Sequence, residues 1–226
     1  MTADLIIAVT GLNREAAILA GPHVRAIAGG GDGASLERAL DGVCADAAGI
    51  ISIGLGGALA EGLKPGDWVV GRGVVMQQGR VETDPDWTER LCGRLQAAVL
   101  GDIAGSDVMV ADLAAKRALH AATGALAVDM ESHIAARVAR RHGLPFAAAR
   151  VISDGADRAL PRAAQAGMRP DGGMDVLAVI CALAKRPYEL PALIRTALEA
   201  ETAFRALFRG RQALGGALAG LGPDLG

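Results

Sequence analysis

The chain has 226 residues, 51% of them apolar and 21% charged, with a formal net charge of −2. That composition excludes a disordered chain, allows one large domain or two small ones, and lacks the Lys and Arg excess of bulk nucleic-acid binding. Cys44, Cys92 and Cys181 are odd in number and far apart, and the four histidines lack ligand spacing, so neither a disulfide framework nor a metal site is expected.

Aromatics make up only 3% while glycines number 31, which requires a core of Ala, Val, Leu and Ile with close backbone approach. The opening MTADLIIAVTGL has no basic n-region and reads as a first strand, Leu5 to Thr10, not a signal peptide. A helix from Arg14 to Ala20 is stopped by Gly21-Pro22, and a second is predicted from Ser35 to Ala48. Ile50 to Gly54 is a strand leading into the turn GLGGALAEG, and Trp68 to Met76 is a strand after LKPGD. Helices follow at Trp87 to Leu100, behind Asp84-Pro85-Asp86, and at Asp112 to Ala122, ended by Gly124. Ala125 to Asp129 is a strand, Glu131 to His142 a helix closed by Gly143, Phe146 to Ile152 a strand, and Asp175 to Lys185 a helix ended by Pro187. This alternation predicts an α/β fold with one core sheet between helices. The segment from Glu189 to Phe208 carries apolar residues at helical spacing and is predicted to be an added amphipathic helix. The expected organisation is a domain over 1–186 and a helical extension over 187–226.

Ligands in open α/β sheets bind outside the carboxyl ends of strands. Four places there carry candidate chemistry. Asp129 and Glu131 bracket Met130; one acid could cap the next helix, and a carboxylate here could also accept hydrogen bonds from the hydroxyls of a ribose, with Met130 against the sugar face. Asp154, beside Ser153, could open an Asx turn or act as a general acid toward a leaving heterocycle. Gly54, Leu55 and Gly56 begin a turn that lacks the third glycine of G-x-G-x-x-G, Leu59 standing there, and has no P-loop lysine. Its glycines still let backbone N–H groups approach a ligand. Glu15, after the first strand, is either a surface acid or faces the same cleft.

Together and in this order, VDMES (128–132), RVISDGAD (150–157) and IGLGGALAEGLKPGDWVV (53–70) resemble the purine nucleoside phosphorylase and methylthioadenosine/S-adenosylhomocysteine nucleosidase superfamily, from about Leu5 to about Lys185. The resemblance implies a three-layer αβα phosphorylase/hydrolase-like fold with a central mixed, partly barrel-like sheet. It implies that the chain cleaves an N-glycosidic bond, with Glu131 on the ribose hydroxyls, Met130 under the sugar, and Asp154 protonating the purine with Ser153 orienting it. Val108, Met109 and Val110 would line the base, and Glu15 would activate water. No cofactor is implied, though inorganic phosphate could serve as co-substrate through Arg14, Arg25 and Arg72. A homodimer is implied as well.

Three positions depart from the superfamily's usual pattern: Leu55 replaces a small or hydroxyl residue, Met109 an aromatic, and Asp129 a longer acid. The apolar replacements Leu55 and Met109, the compact size and the tail YELPALIRTALEAETAFRALFRG resemble the hopanoid-associated phosphorylase branch, which is expected to release adenine from adenosylhopane. The alternatives are a methylthioadenosine/S-adenosylhomocysteine nucleosidase and a non-catalytic nucleoside- or lipid-binding module. The tail could pack on the domain or a second subunit, or lie on an anionic membrane through Arg205, Arg209 and Arg211 beside Phe204, Leu207 and Phe208. The expected location is the cytoplasm, with peripheral contact to the inner membrane.

Overall fold

The computed structural model describes residues 5–167, 172–173 and 175–220. The outer ends of the two expected segments, 1–4 and 221–226, lie outside the described residues. The chain runs β1 (Leu5–Thr10), α1 (Asn13–Leu19), β2 (Val24–Ala28), α2 (Gly33–Asp41), β3 (Ala47–Ala58), β4 (Trp68–Met76), β5 (Gly79–Glu82), α3 (Pro85–Arg94), β6 (Val99–Gly105), α4 (Leu113–Thr123), β7 (Ala127–Asp129), α5 (Ser132–His142), β8 (Phe146–Asp154), α6 (Arg162–Ala166), α7 (Val176–Lys185) and α8 (Leu190–Leu214).

The strands form one mixed sheet. β3 pairs with β8, β8 with β4, β4 with β6, β6 with β7, and β7 returns to β3. Those five strands close on themselves, while β1 and β2 extend the sheet beyond β3 and β5 extends it beyond β4. This is the mixed, partly barrel-like sheet that the resemblance implied. β3 takes part in both the open and the closed portions because it is long, and its register against β8 shifts between Gly56 and Gly57, where it turns to meet β7.

Two large apolar clusters cover the sheet among the described residues, with a smaller one around Leu59 and Val128. One gathers Leu36 and Leu40 of α2 with Ile134 and Val138 of α5 against β1, β3 and β8. The other joins Trp87 and Leu91 of α3 with Ala203, Leu207 and Leu214 of α8. Asp32, Asp84, Asp112 and Asp175 cap four helices by accepting from the backbone N–H three residues on. Gly124 ends α4 and Gly143 ends α5 in the left-handed conformation.

The structure departs from the sequence reading at several boundaries. β2, β5 and β6 were not anticipated. The helix predicted to reach Leu100 stops at Arg94, Ala97 takes a positive φ of 55°, and β6 begins two residues later. Val99 and Leu100 are exposed, so β6 lacks the buried apolar run that marks a strand. α2 ends at Asp41, and the residues to Ala48 divide between a short 3₁₀ turn and the start of β3. The tail helix runs past Phe208 to Leu214, and its second half enters the core. Gly210 makes this possible, since a Cβ there would lie 2.3 Å from Cζ2 of Trp68. The Trp87 indole N–H donates to the Leu218 carbonyl at 3.0 Å, and Arg90 and Arg94 donate to the carbonyls of Ala219 and Leu214.

Candidate active site

The carboxyl ends of β1, β3, β7 and β8 converge, and four buried carboxylates meet there: Glu15, Asp129, Glu131 and Asp154. Glu15 points inward from the first turn of α1. Its Oε2 accepts from the backbone N–H groups of Gly11 and Leu12, both at 2.8 Å, and its Oε1 from that of Leu55 at 2.7 Å. Burial raises its carboxyl above the ordinary range, and the N–H groups of Leu55, Leu12 and Gly11 oppose that rise together with Arg150. Among the described residues Oε1 accepts the Leu55 N–H, which leaves it a lone pair for a proton. Leu55 thus enters through its backbone, while its side chain packs against the core.

The two acids around Met130 divide the work. Asp129 Oδ1 accepts from the backbone N–H groups of Glu131 and Ser132, at 3.1 and 2.9 Å, and from the Ser132 hydroxyl at 2.7 Å. Asp129 therefore caps α5. Glu131 occupies the N-cap position but makes no side-chain cap bond. Its carboxylate leans instead toward Gly11, where a Cβ would come within 3.3 Å of both oxygens, and its Cγ toward Gly29. Burial, then the Asp129 charge, pushes the Glu131 carboxyl up to about 8 against the pull of Arg150. Met130 is half-buried beside Gly31, in the turn that follows β2.

Asp154 closes β8. Its Oδ1 accepts the Ser153 hydroxyl at 2.7 Å, and its Oδ2 accepts Lys116 Nζ at 2.5 Å. The glycines of β3 give these groups room: added Cβ atoms would lie 3.0 Å from Glu15 Oε2 at Gly54, 3.1 Å from Arg150 Cδ at Gly56, and 3.3 Å from Asp154 Oδ2 at Gly57. The segment of Val108, Met109 and Val110 leaves β6 beside Asp129, with Ser106 N–H donating to the Asp129 carbonyl at 2.9 Å. It is held by the Ser106 hydroxyl on the Val108 carbonyl and by His133 Nε2 against Asp107 at 2.9 Å. Val108 is exposed, and Val110 packs toward Leu59 and Val128.

Two cations were missed in the sequence. Arg150 is fully buried on β8, with Nη2 on the Ser52 hydroxyl at 2.6 Å and in ionic contact with Asp129 Oδ2, while Nη1 reaches the Ala149 carbonyl. That contact is charge proximity without alignment, since neither Asp129 Oδ2 nor Arg150 Nε has a hydrogen-bonding partner. The available signal was an arginine inside the otherwise apolar strand FAAARVISD. Lys116 gave no signal, because one lysine on a helix normally faces water. The arginines considered for an anion site stand elsewhere. Arg14 pairs with Glu201 at 2.8 Å and lies over the Phe204 ring, and Arg25 and Arg72 are exposed on β2 and β4.

Paired acids at the ends of strands thus stand against a glycine-lined bend in a closed mixed sheet. Residues 33–185 match the model of the phosphorylase superfamily, and the chain belongs to that superfamily. The chain is 37% identical over 82 residues to a 5'-methylthioadenosine/S-adenosylhomocysteine nucleosidase of Treponema pallidum, a match covering 32% of this chain and only 30% of that protein's length. Among solved structures it resembles the 5'-methylthioadenosine/S-adenosylhomocysteine nucleosidase of Streptococcus pneumoniae, solved with a transition-state inhibitor, at a TM-score of 0.66 and 20% identity over 96% of this chain and 99% of that one. The nucleosidase of Streptococcus pyogenes gives a TM-score of 0.62 at 18% identity, covering 93% and 97% of the two chains. A futalosine hydrolase of Helicobacter pylori gives 0.55 at 17% identity, covering 66% and 89%.

Proposed function

We propose that the protein cleaves the N-glycosidic bond of a purine nucleoside with a bulky apolar 5' group, releasing adenine, and that the substrate is adenosylhopane. The observation that carries the reading is the separation of tasks between Asp129 and Glu131. With Asp129 capping α5, the Glu131 carboxylate is spared for the 2' and 3' hydroxyls of a ribose. Breaking the bond places positive charge on the sugar and negative charge on the base. Glu131 and Glu15 favour the first, and a proton from Asp154 to the purine offsets the second. Glu15 takes a proton from the attacking water. Arg14, Arg25 and Arg72 stand away from these acids, Arg14 being held by Glu201, and the position of Glu15 favours water as the acceptor. No cofactor enters this chemistry.

The apolar replacement Met109 favours a hydrophobic 5' group. So do the exposed apolar side chains Val176, Leu177 and Ile180 of α7 and Leu190, Ile194 and Leu198 of the first half of α8. Gly172, ahead of α7, accepts the Asn13 N–H at 3.1 Å, in the first turn of α1 that also carries Glu15. We read these exposed side chains as a peripheral contact with the cytoplasmic side of a membrane, and the protein as a homodimer. A methylthioadenosine nucleosidase is the second reading, supported by the likeness to the Treponema pallidum protein.

The test is chromatography of adenine released from adenosylhopane, methylthioadenosine and adenosine, each with and without phosphate. Release from adenosylhopane in phosphate-free buffer is the expected result. Preference for methylthioadenosine would replace the lipid substrate. Asp154→Asn and Glu131→Gln are each expected to slow release by about 10²–10⁴-fold, and full activity in both would refute the roles given to them.

A further inference from the structure

Lys116 is fully buried, and it is the only buried residue on α4, where an apolar side chain would ordinarily sit. An ammonium withdrawn from water must find partners. Here each of its three N–H bonds has one: Asp154 Oδ2 at 2.5 Å, the Gly155 carbonyl at 2.8 Å and the Arg158 carbonyl at 3.0 Å. The Ser153 hydroxyl holds the opposite oxygen of Asp154. The carboxyl group is thereby fixed at both oxygens, and the loop that follows β8 is tied to the same ammonium.

We infer that Lys116 is a positioning residue for Asp154 that sets the acid's orientation and stabilises the carboxylate it becomes on giving up its proton. The inference rests on the proposed cleavage of a purine nucleoside. In that step the Asp154 proton passes to the purine ring nitrogen as the electron pair of the C1'–N bond moves onto the base. The water oxygen bonds to C1', and its surplus proton goes to Glu15. Negative charge therefore grows on Asp154 during the reaction, and a cation already in place lowers the energy of that change without reorganisation. The leaving base needs Lys116, and the sugar side does not.

That asymmetry provides the test. Adenine release from the preferred nucleoside is measured first with the unaltered protein; failure there refutes the proposed function and not the role of Lys116. Lys116→Met is then compared on two substrates: the purine nucleoside, and 4-nitrophenyl β-ribofuranoside, whose leaving group departs without a proton. The expected result is a drop of about 10²-fold in kcat for the nucleoside, with KM and the nitrophenyl riboside rate changed by less than about threefold. An equal loss on both substrates would assign Lys116 to structure alone, and no loss on either would remove it from the reaction. Should Lys116→Met fail to fold, the double variant Lys116→Met/Asp154→Asn leaves no unpaired charge. It is expected to match Asp154→Asn alone, and a further multiplicative loss would overturn the inference.

Discussion

Glu131 is the residue on which burial and function conflict most openly. Its carboxyl titrates near 8 in the folded protein, against an ordinary value of 4.5, because burial and then Asp129 disfavour its charge. A carboxyl raised on folding contributes stability that is complete below its ordinary value and is lost as pH rises through the folded value. The ligand-free protein is therefore expected to melt at progressively lower temperature between about pH 5 and pH 9. Glu131→Gln should flatten that dependence and melt higher than the parent at pH 9, and an unchanged slope in calorimetry would show that the strain lies elsewhere. The acids at residue scale were legible in the sequence because each follows a strand. Their cations were not: Lys116 and Arg150 are distant in sequence from the carboxylates they meet, and only the folded sheet and α4 bring them together.

At the scale of elements, β3 decides how closely the acids approach. Its glycines read as a turn in the sequence, whereas the structure places them inside a long strand that bends from the open sheet into the closed one. Gly54→Ala would set a Cβ 3.0 Å from the Glu15 carboxylate, tighter than ordinary contact. Glu15 is expected to swing off the Leu55 N–H, with a loss of about tenfold or more in kcat and little change in melting temperature. Gly105 presents the contrasting case. A Cβ there would lie 2.3 Å from the Cβ of His133, two groups with no freedom to part. Gly105→Ala is expected to destabilise the fold by about 1–3 kcal/mol, read as a lowered denaturant midpoint. The strands between these glycines were partly hidden in the sequence. β6 pairs with β4 and β7 through its backbone while exposing Val99 and Leu100, so no alternation marked it.

At the scale of the molecule, α8 serves two surfaces. Its second half and the turn beyond it bury Ala203, Ala206, Leu207, Leu214 and Leu218 in the same cluster as Trp68 and Trp87, while Leu190, Ile194 and Leu198 of its first half stay exposed. Removing the chain after Arg186 would empty those buried positions. At about 2–5 kcal/mol for each of the leucines Leu207, Leu214 and Leu218, the loss is as large as the ~5–15 kcal/mol that holds an ordinary domain together. The shortened chain is expected to unfold, so it cannot report on membrane contact. Leu177→Glu and Ile194→Glu leave the core intact and place charge on exposed positions alone. If those positions meet a bilayer, the paired variant should lose co-flotation with anionic liposomes and keep its melting temperature. Light scattering separates the other occupant: a variant that turns monomeric while the parent is dimeric, with flotation unchanged, would make those positions a contact between two copies of this chain.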